Sequence, residues 1–337
     1  GLTQRIERTT KGKIVDGRIE FYSHLPVELD QANSAFAHIG LLMGDEELQK
    51  KAGMGQEWSD IYTDIANEKG VLDKQGLKEA EKRKIIKKVS VPWSYGAGKQ
   101  TCGDAIVKIV DENPNKYQYL KGLDIEEIND LAKDVIEVLE KRFSVCVDYQ
   151  TRVQKAVTAA KRAGKESIEW HTPFGFRVVH RKYKLDERTD EVWGGDRWIY
   201  PKAYRPIKPS WEDLQTSTPA IFVHSMDAAL IHGVLAYGSM EMEGSLAGED
   251  LHIKGHLVVN EKGESLPIIT IHDCFACHAG FAPDLQKILL RGLRSMYEYY
   301  EPFHHFLNTV ENTGPIPMPR IDNSDYSWEQ WAKNAFS

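Results

Sequence analysis

The run Leu266-Pro-Ile-Ile-Thr-Ile-His-Asp-Cys-Phe275 constrains this chain more than any other stretch. Ile268, Ile269 and Ile271 are β-branched and lie between turn residues at Asn260 to Gly263 and at Gly280, which predicts a short buried strand. That strand ends on His272 and Asp273. A carboxylate is not needed to fill a core, and a buried charge is costly unless it is paired or bound to a metal. Asp273 therefore calls for a partner elsewhere in the chain.

Leu25-Pro-Val-Glu-Leu-Asp30 is a second strand-like run ending in an aspartate, and Ser34 to Met43 reads as a helix with Ser34 or Asn33 as its N-cap. Between the two acids lies a charged stretch, 71–91, with Lys82, Arg83, Lys84, Lys87 and Lys88 gathered before Val89. A basic run is most often a solvated face. Arg83 and Lys87, however, stand one helical turn apart, and Val91 and Tyr95 extend the same face if the helix continues. Pro92 predicts a kink there. Two carboxylates can hold a pair of hard divalent cations about 3.5–4 Å apart, and a nucleoside triphosphate needs cations on its phosphates. The combination points to metal-assisted phosphoryl transfer.

The totals set limits on this reading. With 337 residues the chain can form two domains or one large α/β body. Its net charge of -7 argues against a simple electrostatic clamp on nucleic acid, although a local basic face can coexist with an acidic exterior. Cys102, Cys146, Cys274 and Cys277 are too few for a disulfide framework, so reduced thiols are expected. No apolar run approaches the roughly 18 residues of a membrane span, and Gly-Leu-Thr-Gln-Arg-Ile at the start lacks a signal-peptide core. The expected location is cytoplasmic.

Elsewhere the chain reads as short elements. Asp16-Gly17 between β-formers predicts a hairpin. Residues 56–69, with Trp58, Ile61, Tyr62 and Ile65 at helical spacing, predict a helix stopped by Gly70. Asp124 and Glu127 form a capping-box pattern ahead of a helix to about Phe143, and another helix is expected over 150–162. Trp170 to Gly175 is turn chemistry leading to a strand at 176–180, and 183–215 reads as an extended hairpin with a mobile tip at Gly194-Gly195. A helix over 219–234, loops and a hairpin over 236–265, and a helix capped by Asp284 complete the expectation.

Leu25-Pro-Val-Glu-Leu-Asp-Gln-Ala-Asn-Ser-Ala-Phe-Ala-His38 resembles motif A of the single-subunit, phage and mitochondrial type DNA-directed RNA polymerases. Arg83-x3-Lys87-x7-Tyr95-Gly96 resembles their motif B, and His272-Asp-Cys-Phe275 their motif C, in the family's order. Lesser matches are Asp60-Ile-Tyr62, Trp170-x-Thr-Pro-x-Gly175, Phe222-Val-His-Ser-x-Asp227 and the terminal Ala-Phe-Ser337. The resemblance implies an α/β (α+β) polymerase right hand with the thumb absent. An antiparallel palm sheet, formed near 12–30 and 257–282, would carry mostly helical fingers. Residues 1–55 would be the first part of the palm, 56–230 the fingers, and 231–337 the rest of the palm and the tail.

It also implies roles. Asp30 and Asp273 would carry two Mg2+ ions, with the backbone carbonyl of Gln31 as a further ligand. Lys87 and Arg83 would hold the triphosphate, Lys87 assisting the departing pyrophosphate. Tyr95 would sit at the ribose, Tyr62 would line that pocket, and His272 would support the primer end. The hairpin near 176–206 corresponds in position to the family's promoter-reading hairpin, so Arg181, Arg188, Arg197, Lys202 and Arg205, with Lys88 and His224, are candidate DNA contacts. The implied activity is DNA-templated RNA synthesis from ribonucleoside triphosphates. DNA synthesis or primase-like activity on the same scaffold is the alternative. Cys274 after Asp273, where related DNA polymerases place a second acid, favours RNA synthesis.

Departures are Ala35 for Gly, Ala37 for Gln, Ala276 for Gly or an aromatic, and Leu230 for His. Motif A begins near residue 25, whereas longer relatives first carry a promoter-binding domain, a thumb and the start of the palm. Either the chain is a fragment of a longer enzyme or it is one subunit of a split one; the favoured expectation is the larger subunit of a split, heterodimeric phage enzyme acting in bacterial cytoplasm, with a partner chain supplying thumb and N-terminal palm.

Two other patterns compete. Cys274-Phe-Ala-Cys-His278 spells a haem-attachment motif and offers zinc ligands, but it sits directly behind a strand and lacks a second cysteine pair. Packing in the turn after the strand is the expected role. His224, Ser225 and Asp227 suggest a hydrolase, yet no nucleophile elbow precedes Ser225 and the three are too close in sequence to form a triad. His38 is expected to be a satisfied helix histidine.

Overall fold

The computed structural model describes residues 13–15, 18–20, 26–55, 59–68, 72, 76–237, 242–243, 252–253, 268–271, 273–298 and 300–311. Strands β1 (Lys13–Val15) and β2 (Arg18–Glu20) pair as the expected hairpin. Strand β3 (Pro26–Asp30) leads into α1 (Ser34–Met43), followed by α2 (Glu46–Gln49) and α3 (Ile61–Ala66). Four longer helices come next: α4 (Glu79–Ser94), α5 (Lys99–Glu112), α6 (Ile125–Arg142) and α7 (Ser144–Arg162). Strands β4 (Ile168–His171) and β5 (Arg177–His180) pair antiparallel. An arm then extends through β6 (Tyr183–Thr189), β7 (Val192–Trp193), β8 (Trp198–Ile199) and β9 (Lys202–Pro209), with β6 on β9 and β7 on β8. Helix α8 (Trp211–Tyr237) precedes β10 (Met242–Glu243), β11 (His252–Ile253), β12 (Ile268–Ile271) and β13 (Cys274–His278). Helices α9 (Ala282–Glu298) and α10 (Pro302–Glu311) end the described chain.

The central sheet has the order β12-β13-β3, antiparallel throughout. Its described strands are narrower than the expected 12–30 and 257–282, since β1 and β2 pair only with each other. The alternation of side chains divides the sheet into two faces. Leu29, Phe275 and Cys277 are buried on the face that packs on α9. Asp30, Cys274 and Ile271 share the opposite face by their register.

Helix boundaries follow local chemistry where caps are strong. The Asp124 carboxylate accepts from the Glu126 and Glu127 N–H groups, and Glu127 accepts from the Asp124 N–H, closing the capping box at the expected place. Other boundaries move. The helix expected over 150–162 begins at Ser144, and that expected over 56–69 is confined to Ile61–Ala66, with 56–58 outside the described residues. Helix α4 continues two residues beyond Pro92. The stretch read as a turn at 170–175 places Trp170 and His171 in β4. Asp284 lies in the first turn of α9 rather than at its cap.

The helix expected over 219–234 begins at Trp211, because Ser210 and Asp213 hydrogen-bond at 2.5 Å and start it before Pro219. Helix α8 is the one described helix whose length and mean hydropathy of 1.2 would allow a membrane crossing. Its apolarity is used in the core instead, where Phe222, Val223, Met226, Ala229, Leu230 and Val234 are buried. It packs against α7 and α9.

Gly233 on α8 is where this packing is tightest. A Cβ there would lie 2.3–2.9 Å from three ring atoms of Phe174. Ala favours a helix by up to about 1 kcal/mol over Gly, but overpacking costs typically 1–3 kcal/mol. Gly233→Ala is therefore expected to lower the denaturant midpoint without changing the slope of the transition. An unchanged midpoint would contradict the close approach.

Candidate active site

Two strands deliver the two acids to one end of the sheet. Ile271 pairs with Cys274, so Asp273 lies in the short connection between β12 and β13. The short buried strand expected to end on His272 and Asp273 is corrected in part: the described strand is Ile268–Ile271, Ile269 and Ile271 are exposed rather than buried, and Cys274 and Phe275 belong to the returning strand. Cys274 in turn pairs with Asp30, the last residue of β3. Asp273 thus stands next to the residue directly opposite Asp30. His272 itself lies outside the described residues, as does the terminal Ala-Phe-Ser337.

The electrostatics record this proximity. Asp30 has its pKa raised, first by burial and then by the charge of Asp273, while Lys87 and the Gln31 N–H pull it down. Lys87 on α4 is close enough for its charge to be felt at Asp30. Gln31, the residue after Asp30, is buried.

Helix α4 arranges the cations. The Arg83 Nε–H donates to Asp60 Oδ2 at 2.6 Å and to Thr63 Oγ1 at 3.2 Å. Burial alone would raise the Asp60 pKa, but the hydrogen bonds from Arg83 and Thr63 and the charge of Arg83 outweigh it and hold it low. Asp60 thereby fixes one edge of the guanidinium, while Arg83 stays 43% exposed. The Arg83 guanidinium carbon and Lys87 Nζ each lie 5.7 Å from the centre of the Tyr62 ring. Tyr62 is packed beneath both cations, edge-on to Phe36. Lys87 and Lys88 are exposed.

Tyr95 sits at the C-terminal end of α4, followed by Gly96 with φ of +93°, a left-handed conformation that favours glycine. Gln150 on α7 donates its side-chain N–H to the carbonyls of Trp93 and Ser94, at 2.8 and 3.2 Å. It satisfies helix-end acceptors that lack partners within the helix. The Tyr95 ring meets His224 edge-on at 4.9 Å. Burial, followed by the charges of Asp227, Tyr62 and Asp273, holds the Tyr95 hydroxyl in its protonated form.

The structure therefore brings Asp30, Asp273, Lys87, Arg83, Tyr62, Tyr95 and His224 into one neighbourhood. Arg181, Arg188, Arg197, Lys202 and Arg205 are exposed on the arm or at its base, apart from the acidic pair. Arg188 lies 3.6 Å from Asp186, and Lys202 lies 2.5 Å from Glu187.

Competing motifs dissolve in the geometry. Cys274 and Cys277 belong to β13 and face opposite sides of the sheet, with Cys277 buried. Burial raises both thiol pKa values, so neither presents a ready thiolate. They pack on a strand, not in the expected turn. Among the described residues no three His, Cys, Asp or Glu side chains converge as a metal cluster. Mg2+ does not need one, because it keeps several waters and takes one or two carboxylates plus phosphate oxygens. The repulsion between Asp30 and Asp273 is what such a cation would relieve. Ser225 accepts from the Trp170 indole at 3.0 Å and donates to the Phe222 carbonyl at 2.6 Å, which leaves it structural. His38 is fully buried, with Nδ1 hydrogen-bonded to the Tyr297 hydroxyl and Nε2 2.9 Å from Asp227 Oδ1, so only one of its ring nitrogens has a well-formed hydrogen bond.

A model of the family described as DNA-dependent RNA polymerase matches residues 6–313. A curated protein of Neurospora crassa, named as a probable DNA-directed RNA polymerase, is 23% identical over 323 residues. That match covers 85% of this chain and 33% of the relative, so the chain spans about a third of the length of the curated relative it matches.

Proposed function

The chain belongs to the DNA-dependent RNA polymerase family, and on that premise we propose that it catalyses nucleotidyl transfer from ribonucleoside triphosphates on a DNA template. The observation that carries this reading is the meeting of Asp30, Asp273 and Lys87, which come from three separated stretches of sequence. Asp30 and Asp273, with the Gln31 carbonyl, would hold two Mg2+ ions. When bound, such ions activate the attacking hydroxyl and stabilise the departing oxygen. Phosphoryl transfer otherwise depends on positioning and charge neutralisation, which this chain's side chains are arranged to supply.

Arg83, held by Asp60, offers its free edge to phosphate oxygens. Lys87 neutralises charge on the leaving pyrophosphate. Tyr95, kept protonated, packs at the sugar, and His224 braces its ring. His272 is assigned to the primer end. We read the sheet with its flanking helices as the palm and α3 to α7 as the fingers. Lys88 and the arginines of the arm are assigned to DNA. A second protein part bearing the thumb and the start of the palm would complete the hand; exposed Ile269 and Ile271 on the sheet face of Asp30 suit such a covering.

The test is extension of an RNA primer on a DNA template in Mg2+, with ribonucleotides and deoxyribonucleotides offered separately. Ribonucleotide incorporation that disappears in Asp273→Asn supports the reading. Equal incorporation by wild type and Asp273→Asn, or use of deoxyribonucleotides alone, overturns it. Full extension by a monomeric chain in gel filtration would remove the second part.

A further inference from the structure

Behind the Tyr95–His224 contact lies a buried polar group that the proposed chemistry does not use. His38 on α1, Asp227 on α8 and Tyr297 on α9 meet in the core. His38 Nδ1 and the Tyr297 hydroxyl hydrogen-bond at 2.5 Å. On the other side of the ring, His38 Nε2 lies 2.9 Å from Asp227 Oδ1. The alignment of that second contact falls short of a good hydrogen bond, which makes it mainly electrostatic. The tautomer that fits both contacts has Tyr297 donating to Nδ1 and Nε2–H facing the Asp227 carboxylate. His38 is completely buried, while the Asp227 side chain keeps 16% of its surface accessible.

Such a group is a poor choice for stability alone. Apolar side chains of similar volume would fill the space without the desolvation cost of a carboxylate, and replacing buried polar pairs in that way is often neutral or stabilising. Its placement suggests another use. Helix α1 continues from the strand that ends in Asp30, and α9 follows the strand that begins just after Asp273. Helix α8 carries His224 three residues before Asp227, one turn away on the same side. The three helices therefore connect both acidic strands to the residue that touches Tyr95. The Asp227 charge also reaches Tyr95, where it adds to burial in holding the phenol protonated.

We propose that Asp227, anchored by His38 and Tyr297, is a positioning residue that sets the Tyr95–His224 pair relative to the two acids and so governs discrimination at the sugar of the incoming nucleotide. The inference rests on the nucleotidyl-transfer reading. A shift of the α8 turn moves His224 against Tyr95 while leaving the phosphate contacts of Arg83 and Lys87 in place. Discrimination between ribose and deoxyribose should change more than triphosphate binding.

The test measures Kd for one ribonucleoside triphosphate and its deoxy counterpart with Mg2+, by calorimetric titration, in wild type, Asp227→Asn and Tyr297→Phe. Thermal stability is followed in parallel. Asp227→Asn keeps the shape and an acceptor oxygen while losing the charge; Tyr297→Phe loses only the hydroxyl. A ribo-to-deoxy preference reduced about tenfold in Asp227→Asn, and less in Tyr297→Phe, with Kd for the deoxy form nearly unchanged, supports the inference. Should Asp227→Asn fail to fold, Tyr297→Phe alone decides. Variants that lose stability or weaken both nucleotides by a common factor, with the preference intact, show a merely structural network and overturn this inference alone. A wild type that binds neither nucleotide, or binds both equally, overturns the nucleotidyl-transfer reading along with it.

Discussion

Asp30→Asn is expected to reduce nucleotide incorporation by at least about 10³-fold, or roughly 4 kcal/mol of transition-state stabilisation, while making the metal-free protein more stable at neutral pH. Both effects arise from the same repulsion. Burial and the neighbouring Asp273 raise the Asp30 pKa, and Lys87 only partly compensates. With the folded value above the ordinary value of 3.8, the folded state binds the proton more tightly than the unfolded state does. Stability from this group is therefore present below 3.8, falls as pH rises through the folded value, and stays lower above it. Asn carries no such penalty. The stability gain should vanish in acid and be full at neutral pH, as followed by thermal melts across pH.

Added Mg2+ separates function from repulsion in the same melts. A ligand that binds only the folded state raises the melting temperature with its concentration. Wild type should show that rise and Asp30→Asn should not. An unstabilised Asp30→Asn at neutral pH would contradict the repulsion, and an Mg2+ response equal to wild type would remove Asp30 from the metal assignment.

The parts of this site that are readable in the sequence are those written in short stretches. Asp30 and Asp273 close β-branched or apolar runs, and Arg83 and Lys87 share a helix face within four residues. The hairpin at Asp273 is harder to see, because apolar residues continue on both sides of the turn and periodicity marks no break. Helix α5 is not among the expected elements, although Cys102, Ile106, Ile109 and Val110 repeat at helical spacing and are buried. Its N-terminus has Gly98 in place of a side-chain cap, so no punctuation announces it. Pro302 at the first position of α10 is a start signal of the kind that α5 lacks.

What the sequence does not disclose is contact across long separations. His38 and Tyr297 are 259 positions apart, and Gln150 reaches carbonyls 56 and 57 positions away. Neither pairing has a local pattern, because a histidine or glutamine on a helix face is compatible with solvent, core or capping duty alike. Only the fold decides. The arm from β6 to β9 lies between these cases: its hairpin is legible from turn residues, whereas the edge-to-face Trp193–Trp198 pair at its tip follows from the register.

Lys87→Gln is expected to lower kcat by about 10²–10³-fold with a smaller change in KM, and Arg83→Gln to do the reverse. The distinction follows from where each charge is spent. Arg83 is held by Asp60 before any nucleotide arrives, so its free edge meets phosphate equally in the ground and transition states. Uniform binding of that kind appears in KM. Among the described residues Lys87 has no such carboxylate anchor, and its charge reaches Asp30, so it is placed to meet charge that develops on the leaving group. Removing it also removes the larger of the two influences that lower the Asp30 pKa, the Gln31 N–H being the other, and the acidic limb of the kcat/KM profile should move to higher pH in Lys87→Gln. Lys87→Arg, which keeps the charge, should return that limb toward its wild-type position while restoring only part of kcat, since a planar fork does not reproduce a compact ammonium. A Lys87→Gln enzyme with normal kcat, or one whose acidic limb stays in place, would detach Lys87 from both the leaving group and the acidic pair.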